Sequence, residues 1–257
     1  AVGRVTARFH VTGLLLAGVV VNACFSAIIM FLGALSMLVG VLLAVGQSDF
    51  KRMLAYHSIS QMGYVTIGFG LGLNPGIDPA IAALGLFGGL FHLINHAVFK
   101  SCLFLCSGSF EYRTGTREKH EMGGLVRKMP ITSTTCSIAS LSIAGVPPFN
   151  GFWSKLIIII ALVKAGYWIY GSIAVLVAFV TLISFIKLQT GVIFGKLPEK
   201  FSNIKEAPFS MTLPLIILAI LCLGIGLAYP WIDHWLLRAA QDALLDKMGY
   251  MNYLIGG

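Results

Sequence analysis

Long apolar runs alternate with short polar connections along most of this 257-residue chain. A helix needs about 20 apolar residues in succession to cross the hydrocarbon core of a bilayer. The pattern therefore predicts an all-α fold, a polytopic helical membrane bundle of about six transmembrane helices within residues 22–228. We expect these helices at about residues 22–46, 53–73, 80–110, 131–165, 167–195 and 211–228.

The two ends of the chain depart from this pattern. Residues 1–21 carry basic side chains before a short apolar stretch, and we interpret them as the remnant of a preceding membrane helix and its connection. Residues 229–257 mix Leu and Ala with Asp, Arg and Lys, which is typical of an amphipathic tail at the membrane interface or against a partner. The chain starts with Ala-Val-Gly rather than Met, so we expect a processed protein or the downstream part of a longer one.

The apolar run at 131–165 is too long for one membrane span and too short for two spans joined by an ordinary turn. Its centre, residues 145–151, reads Gly-Val-Pro-Pro-Phe-Asn-Gly. Pro147 and Pro148 lack a backbone N–H, and Gly151 further weakens the helix, so we predict a broken helix here. Unwound backbone at membrane depth has to face protein or a water-filled cavity, and transporters place ion sites at such breaks.

Three ionisable residues share one face of the run at 80–110. In a helix, His92, His96 and Lys100 lie at i, i+4 and i+8, with a drift of about 40° and a rise of about 6 Å per step. That spacing suits a water molecule or a moving side chain between neighbours. Ionisable groups inside a membrane span by default indicate an ion or proton path, and Lys155 lies one turn beyond the predicted break. A purely structural role in helix packing remains the alternative.

Composition and charge favour a membrane protein. The chain is 57% hydrophobic and 11% charged, whereas soluble domains carry about 25% charged residues. Its net charge is +8, but no basic run is interleaved with aromatic residues, so we predict no nucleic-acid binding. If the spans alternate, Lys51, Arg52 and the loops at 111–129 and 195–208 share one side and hold ten Lys and Arg. The positive-inside rule makes that side cytoplasmic and predicts a multi-pass protein of the cell membrane.

The sequence favours neither a metal nor an electron-carrying cofactor. All five cysteines lie in apolar runs and none forms a Cys-x-x-Cys pair, which argues against a cluster or zinc site built on cysteine. His92 and His96 could hold a metal with Cys102 or Cys106, but the span has no acidic residue, so we predict no metal. No dinucleotide fingerprint or haem motif occurs, so we predict no cofactor. Whether the chain belongs to an enzyme stays open.

Several long motifs resemble one family of membrane proteins, the antiporter-like subunits that pump protons or exchange cations. These subunits occur in respiratory complex I, in Mrp cation/proton antiporters, and in energy-converting membrane hydrogenases and sulfane reductases. The resemblance covers roughly residues 20–195. Its motifs are QSDFKRMLAYHSISQMGY at 47–64, FHLINHAVFKSCLFL at 91–105, MGGL at 122–125 and AGVPPFNGFWSK at 144–155.

The resemblance implies a fold of fourteen transmembrane helices that contains two inverted five-helix repeats, each with a broken helix. This chain would correspond to the second half, helices nine to fourteen. The central residues of the family map onto His96, Lys100 and Lys155. The membrane glutamate of the family and its partner lysine belong to the first half and have no counterpart here.

Three further residues are candidate members of the same path. Some relatives have His where this chain has Gln61, and this chain instead has His57 four residues earlier. Lys51 lies at the start of the same motif. With His92, these residues complete the candidate path.

We therefore predict an ion-translocating subunit, for protons or sodium, of a redox-driven respiratory or hydrogenase-type complex. A His/Lys relay in the membrane would move the protons, and electron transfer would belong to partner subunits. The expected partners are other membrane subunits, the lipid bilayer, the missing N-terminal half or its equivalent and, indirectly, peripheral redox subunits. An Mrp-type cation/proton antiporter subunit and a non-conducting structural half-subunit remain the alternatives.

Overall fold

The computed structural model describes residues 2–245, except the side chains of 2–12, 15, 232–238 and 240–245. This part of the chain contains seven α-helices of 15 residues or more and no β-strand, and the predicted all-α class is confirmed. The helices are α1 (Val2–Val45), α2 (Phe50–Gly72), α3 (Pro79–Thr114), α4 (Pro130–Ala144), α5 (Asn150–Lys164), α6 (Trp168–Leu188) and α7 (Phe209–Leu245).

Among the described residues, four helical segments are long and apolar enough to cross a membrane. They are Leu16–Val45, Pro79–Thr114, Trp168–Ile193 and Phe209–Trp231. Helix α2 is long enough but carries more polar residues, and α4 and α5 have only 15 residues each, fewer than one span requires. The prediction of two further spans therefore remains a prediction for α2 and for the pair α4 and α5.

Two helices continue through positions where the sequence predicted a change. Helix α1 extends without interruption from Val2 to Val45, because residues 19–24 contain neither Pro nor Gly to end it. Helix α7 continues past residue 229, through Pro230, to Leu245. Residues 246–257 of the predicted amphipathic tail lie outside the described part.

The loop after α3 is joined by backbone hydrogen bonds to the start of α2. The Phe50 amide donates to the carbonyl of Arg117 at 3.0 Å, and the Lys119 amide donates to the carbonyl of Ser48 at 3.0 Å. These bonds hold the 111–129 loop against the beginning of α2.

The second basic loop is fixed at the same end of the bundle. Glu206 accepts hydrogen bonds from the amide of Ile131 and from the hydroxyl of Thr132, both at 2.7 Å. A carboxylate at a helix N-terminus is favourable because the free N–H groups of α4 point toward it. Lys200 also pairs with Glu121 of the first loop at 3.0 Å. The two loops that carry most of the basic residues therefore lie together.

Helix α3 occupies the centre of the bundle and packs against α2, α4, α5 and α7. Phe99, Leu103 and Phe110 are fully buried on its length, within the largest apolar cluster. His92, Asn95 and Lys100 of α3 are buried against these neighbours, whereas Ile94 and Ser101 lie on its exposed face. This arrangement builds the candidate site.

Candidate functional site

The broken helix separates into α4 and α5 at residues 145–149. Gly145 ends α4 with φ of 81°, the left-handed conformation that glycine adopts readily. Pro147 and Pro148 lie inside the break. Gly151 instead lies in the first turn of α5, where a Cβ atom would come within 1.9 Å of the carbonyl oxygen of Ser142. Glycine at 151 therefore lets the two half-helices approach.

Two buried asparagines join α3 to the start of α5. The amide nitrogen of Asn150 donates to Oδ1 of Asn95 at 3.1 Å, and the amide nitrogen of Asn95 donates to the backbone carbonyl of Asn150 at 3.1 Å. The hydroxyl of Ser142 donates to Oδ1 of Asn150. These bonds fix both half-helices relative to α3. Our sequence reasoning missed this pair, although an Asn in an apolar span is itself a signal, because its amide has to find partners.

Lys155 reaches back across the break to the end of α4. Its Nζ donates to the carbonyl of Ile143 at 2.7 Å and lies 5.0 Å from the ring centroid of Tyr64. The last carbonyls of a helix have no partner within the helix and carry partial negative charge, so they stabilise a cation. The Tyr64 hydroxyl in turn donates to the carbonyl of Ala174 on α6 at 2.5 Å. Lys155 is 3% exposed, so its environment consists of protein groups.

His92 connects three helices. Its Nε2 lies 3.2 Å from Oε1 of Gln61 on α2, and its Nδ1 lies 2.9 Å from the hydroxyl of Ser154 on α5. Because a carboxamide oxygen only accepts, Nε2 is the donor and Nδ1 accepts from the serine. Ser154 precedes Lys155 in the sequence, so His92 and Gln61 belong to the surroundings of that lysine.

Lys100 occupies a second buried position on α3. Its Nζ donates to the carbonyl of Leu54 on α2 and lies 5.4 Å from the ring centroid of Phe104. His96 lies between His92 and Lys100 and packs edge-on against Phe99, with ring centroids 5.4 Å apart. The Nε2 atom of His96 is buried and has no hydrogen-bond partner among the described residues. His92 and Lys100 both face α2, with His96 between them in the chain.

The remaining candidates divide into one buried residue and one at the bundle end. His57 is fully buried, and its Nε2 lies 2.9 Å from the hydroxyl of Ser184 on α6. Lys51 instead forms an ion pair with Glu111 at 2.6 Å, with about a third of its side chain exposed. The structure therefore brings His57 into the bundle interior and leaves Lys51 among the loop charges.

The interior of the described part contains cations without anions. Lys100 and Lys155 are its buried charged residues, and no Asp or Glu is buried there. Within these residues, no group of three or more His, Cys, Asp or Glu could hold a metal ion. The arrangement offers amines, imidazoles, hydroxyls and amides in hydrogen-bonded contact, which are groups that can donate and accept protons.

Comparison with known proteins gives a family match over most of the chain. Residues 6–184 match the model of the family described as NADH:quinone oxidoreductase/Mrp antiporter, TM. Hydrogenase-4 component B of Escherichia coli K12 is 33% identical over 229 residues, which is 83% of this chain and 34% of that protein.

Two solved structures have a similar fold. The Mrp complex from Dietzia sp. DQ12-45-1b contains a chain with a TM-score of 0.78 and 26% identity, covering 90% of this chain and 49% of that one. The membrane-bound sulfane sulfur reductase, described as an archaeal respiratory membrane complex, gives a TM-score of 0.71 and 38% identity, covering 79% of this chain and 32% of that one. The chain thus spans about a third to a half of the length of the proteins it matches. The family resemblance predicted from the motifs is confirmed, and the chain belongs to the transmembrane family of NADH:quinone oxidoreductase and Mrp antiporter subunits.

Proposed function

We propose that this chain is an ion-translocating subunit of a membrane complex and that it moves protons through buried Lys and His side chains. One observation carries the proposal: Lys100 and Lys155 are buried in a membrane bundle, and each is held by a backbone carbonyl of another helical segment rather than by a carboxylate. Charged groups at such depth are energetically unfavourable and by default indicate an ion or proton path.

The carbonyl partners suit lysines that change protonation state. The Ile143 carbonyl accepts a hydrogen bond from Lys155 whether that side chain is an ammonium or a neutral amine. A fixed carboxylate would instead be left as an unpaired buried anion each time the lysine lost its proton, and a buried unpaired charge is strongly unfavourable. Lys155 can therefore release and regain a proton without losing its position.

A series of polar groups lies between the two lysines. Ser154, next to Lys155, is hydrogen-bonded to His92, and His96 and Lys100 follow on α3 at successive helical turns. The rise of about 6 Å per step is longer than one hydrogen bond, so each proton transfer along α3 needs an intervening water or a side-chain movement. We propose that protons pass between Lys155 and Lys100 along this series.

Partners complete the path. No carboxylate is buried among the described side chains, and we propose that a partner supplies the anion that controls the lysines. We assign that role to a segment equivalent to the first half of the longer relatives or to a neighbouring membrane subunit, with peripheral redox subunits coupled indirectly. The loops at 111–129 and 195–208 face the cytoplasm in this proposal, with the bundle in the cell membrane.

The similar proteins support two candidate energy sources for ion translocation by this chain. Similarity to a hydrogenase component and to a sulfane sulfur reductase complex supports redox-driven translocation. Similarity to a chain of an Mrp complex supports the second candidate, cation/proton exchange driven by an ion gradient. Uptake by vesicles of the native complex distinguishes them: the first requires an electron donor, and the second requires only an imposed sodium or proton gradient.

The central test compares two lysines of different environment in the same vesicles. Lys100→Met removes a buried amine and keeps a similar unbranched stem, whereas Lys187→Met changes an exposed side chain in the last turn of α6. We expect Lys100→Met to lower ion uptake per assembled complex by about tenfold, a barrier increase of about 1.4 kcal/mol. Lys187→Met should leave uptake nearly unchanged. Normal uptake by Lys100→Met would overturn the proposal, whether or not Lys187→Met also transports normally.

A further inference from the structure

One charged residue of the first basic loop turns into the bundle. Lys119 begins a short 3-10 turn, and its backbone amide is fixed to the carbonyl of Ser48 at 3.0 Å. Its side chain is half-buried, and its Nζ lies 3.3 Å from the sulfur of Met53, a fully buried residue of α2. An ammonium usually extends into water when it can. The inward position of Lys119 therefore needs a reason.

The sulfur atom of Met53 also contacts Ser184, which is hydrogen-bonded to His57 inside the bundle. The hydroxyl of Ser184 on α6 lies 4.0 Å from the Met53 sulfur and 2.9 Å from Nε2 of His57. Both Ser184 and His57 are buried. A single thioether therefore separates an amine of the aqueous loop from a hydrogen-bonded serine and histidine in the membrane bundle.

We propose that Lys119, Ser184 and His57 form the loop-side entrance of the proton path, with Met53 as the gate between the loop amine and the buried pair. This inference rests on the proposed function, since it names the residues through which protons reach the buried lysines. Methionine suits a gate because its unbranched side chain has three rotatable bonds and adapts its shape readily.

The proton transfer from Lys119 to His57 needs only water as a further reactant. When Met53 moves aside, Lys119 gives a proton to the oxygen of Ser184, and the hydroxyl proton of Ser184 passes to Nε2 of His57. Lys119 is left as a neutral amine and takes its next proton from loop-side water. His57 holds the added proton and can release one from Nδ1, which is buried and has no partner among the described residues.

The entrance leads toward Lys100. Leu54, which follows Met53 on α2 and lies one turn before His57, accepts the hydrogen bond of Lys100 through its carbonyl. His57 and Lys100 thus meet the same turn of α2. The proton accepted at the loop side is thereby brought next to the first membrane lysine.

The burial of Lys119 also suits proton release. Burial, the largest cause, lowers the pKa of Lys119 below its ordinary value, whereas the charge of Lys187 on α6 makes the smallest of the four contributions. The carboxylates of Glu118 and Asp49 oppose this shift. A lysine whose pKa is lowered gives up its proton more readily near neutral pH than an exposed lysine does.

The test uses the native complex in vesicles and measures ion uptake per assembled complex. Lys119→Met removes the amine, and Lys119→Arg keeps the positive charge but replaces the amine with a guanidinium that does not lose its proton. We expect both variants to lower uptake by at least about tenfold, because a positioned proton-transfer group typically contributes about 10²–10⁴-fold to a rate. A role in anchoring the loop or attracting ions would instead be preserved by Lys119→Arg.

Two variants of Ser184 give a second, independent test of the entrance. Ser184→Ala removes the hydroxyl and should lower uptake to a similar extent, whereas Ser184→Thr keeps a hydroxyl and should retain most of it. Lys205→Met, in the exposed part of the second basic loop, removes an equal charge and should leave uptake unchanged.

Lys100→Met in the same series separates failure of this inference from failure of the proposed function. If Lys119→Arg or Ser184→Ala transports normally while Lys100→Met does not, the entrance is wrong and the proposed function stands. If Lys100→Met also transports normally, the proposed function fails, and the entrance fails with it.

Discussion

The ammonium of Lys155 on α5 donates a hydrogen bond to the backbone carbonyl of Ile143, near the end of α4, at 2.7 Å. The second half of the broken helix therefore stabilises the end of the first half. The break frees this carbonyl from its helical partner, and the negative end of the α4 dipole favours a cation there. The helix break thus supplies the partner of a buried lysine in a bundle whose described interior holds no carboxylate.

Replacement of Lys155 should affect transport more than stability. In Lys155→Met, the lost hydrogen bond to the carbonyl, worth about 1.5–3 kcal/mol for a charged donor, is offset by removal of a buried charge. We therefore expect the assembled complex to lose about tenfold in ion uptake, with only a small shift of its thermal unfolding temperature. Lys164→Met, at the exposed end of the same helix, serves as the control. Equal transport by the two variants would rule out a role for Lys155 in the path.

The asparagine pair should behave as one unit in stability measurements. Asn95→Ala leaves buried polar atoms of Asn150 without a partner and should reduce the free energy of unfolding by about 1–3 kcal/mol. Asn150→Ala should act similarly. Because the two residues bond each other, the double variant should lose less than the sum of the single losses.

Denaturant unfolding of the detergent-solubilised protein measures these effects. Asn203→Ala, in an exposed loop position, controls for the loss of an amide and should change the free energy of unfolding little. Additive losses at Asn95 and Asn150 would contradict the coupling inferred from their reciprocal hydrogen bonds.

Two helical glycines, one in α5 and one in α3, should respond oppositely to the same substitution. Gly151→Ala places a methyl group 1.9 Å from the carbonyl oxygen of Ser142, so it should force the half-helices apart and reduce both stability and transport. Gly108→Ala on α3 meets nothing within 4 Å and should be neutral or stabilising by up to about 1 kcal/mol. Thermal unfolding and ion uptake of the two variants test this difference in sign. A stable, active Gly151→Ala variant would show that the close approach is dispensable.

Some features of the site follow directly from local sequence. The two prolines and Gly145 predict where the helix ends, and a spacing of four residues predicts which α3 residues share a face. Partners from other helices do not follow in this way, because they depend on how the helices pack. His57 and Ser184, for example, are 127 residues apart in the chain and 2.9 Å apart in the bundle. The reciprocal bonding of Asn95 and Asn150 was missed for the same reason.

The differences at the chain ends also have a local cause. The sequence predicted a connection before residue 22 because the preceding apolar stretch is too short to span alone, but a continuous helix needs only the absence of a breaker there. At residue 230 a proline does stand in α7, and the helix continues through it. Membrane helices tolerate proline when nearby groups satisfy the freed carbonyl. Hydropathy therefore indicates membrane spans better than it indicates helix ends.

The last prediction concerns the orientation of the bundle. The loops at 111–129 and 195–208, with Lys51 and Arg52, carry ten Lys and Arg, and ion pairs and backbone bonds hold these loops at one end. Short loops rich in Lys and Arg stay on the cytoplasmic side during insertion. We therefore expect cysteines introduced as His120→Cys and Asn203→Cys to resist an impermeant thiol reagent added outside sealed cells, and to react once the cells are opened.

Pro75→Cys, in the exposed connection at the opposite end of the bundle, should react in sealed cells and is the matched control. The native cysteines interfere little with this experiment, because Cys102, Cys106, Cys136 and Cys222 are buried. Cys24 is exposed on α1 in a segment apolar enough to lie in the bilayer, where a charged reagent does not enter. Labelling of both loop positions from outside, with protection of position 75, would invert the orientation. It would also move the proposed Lys119 entrance to the opposite side of the membrane, so that protons entering there would come from outside the cell.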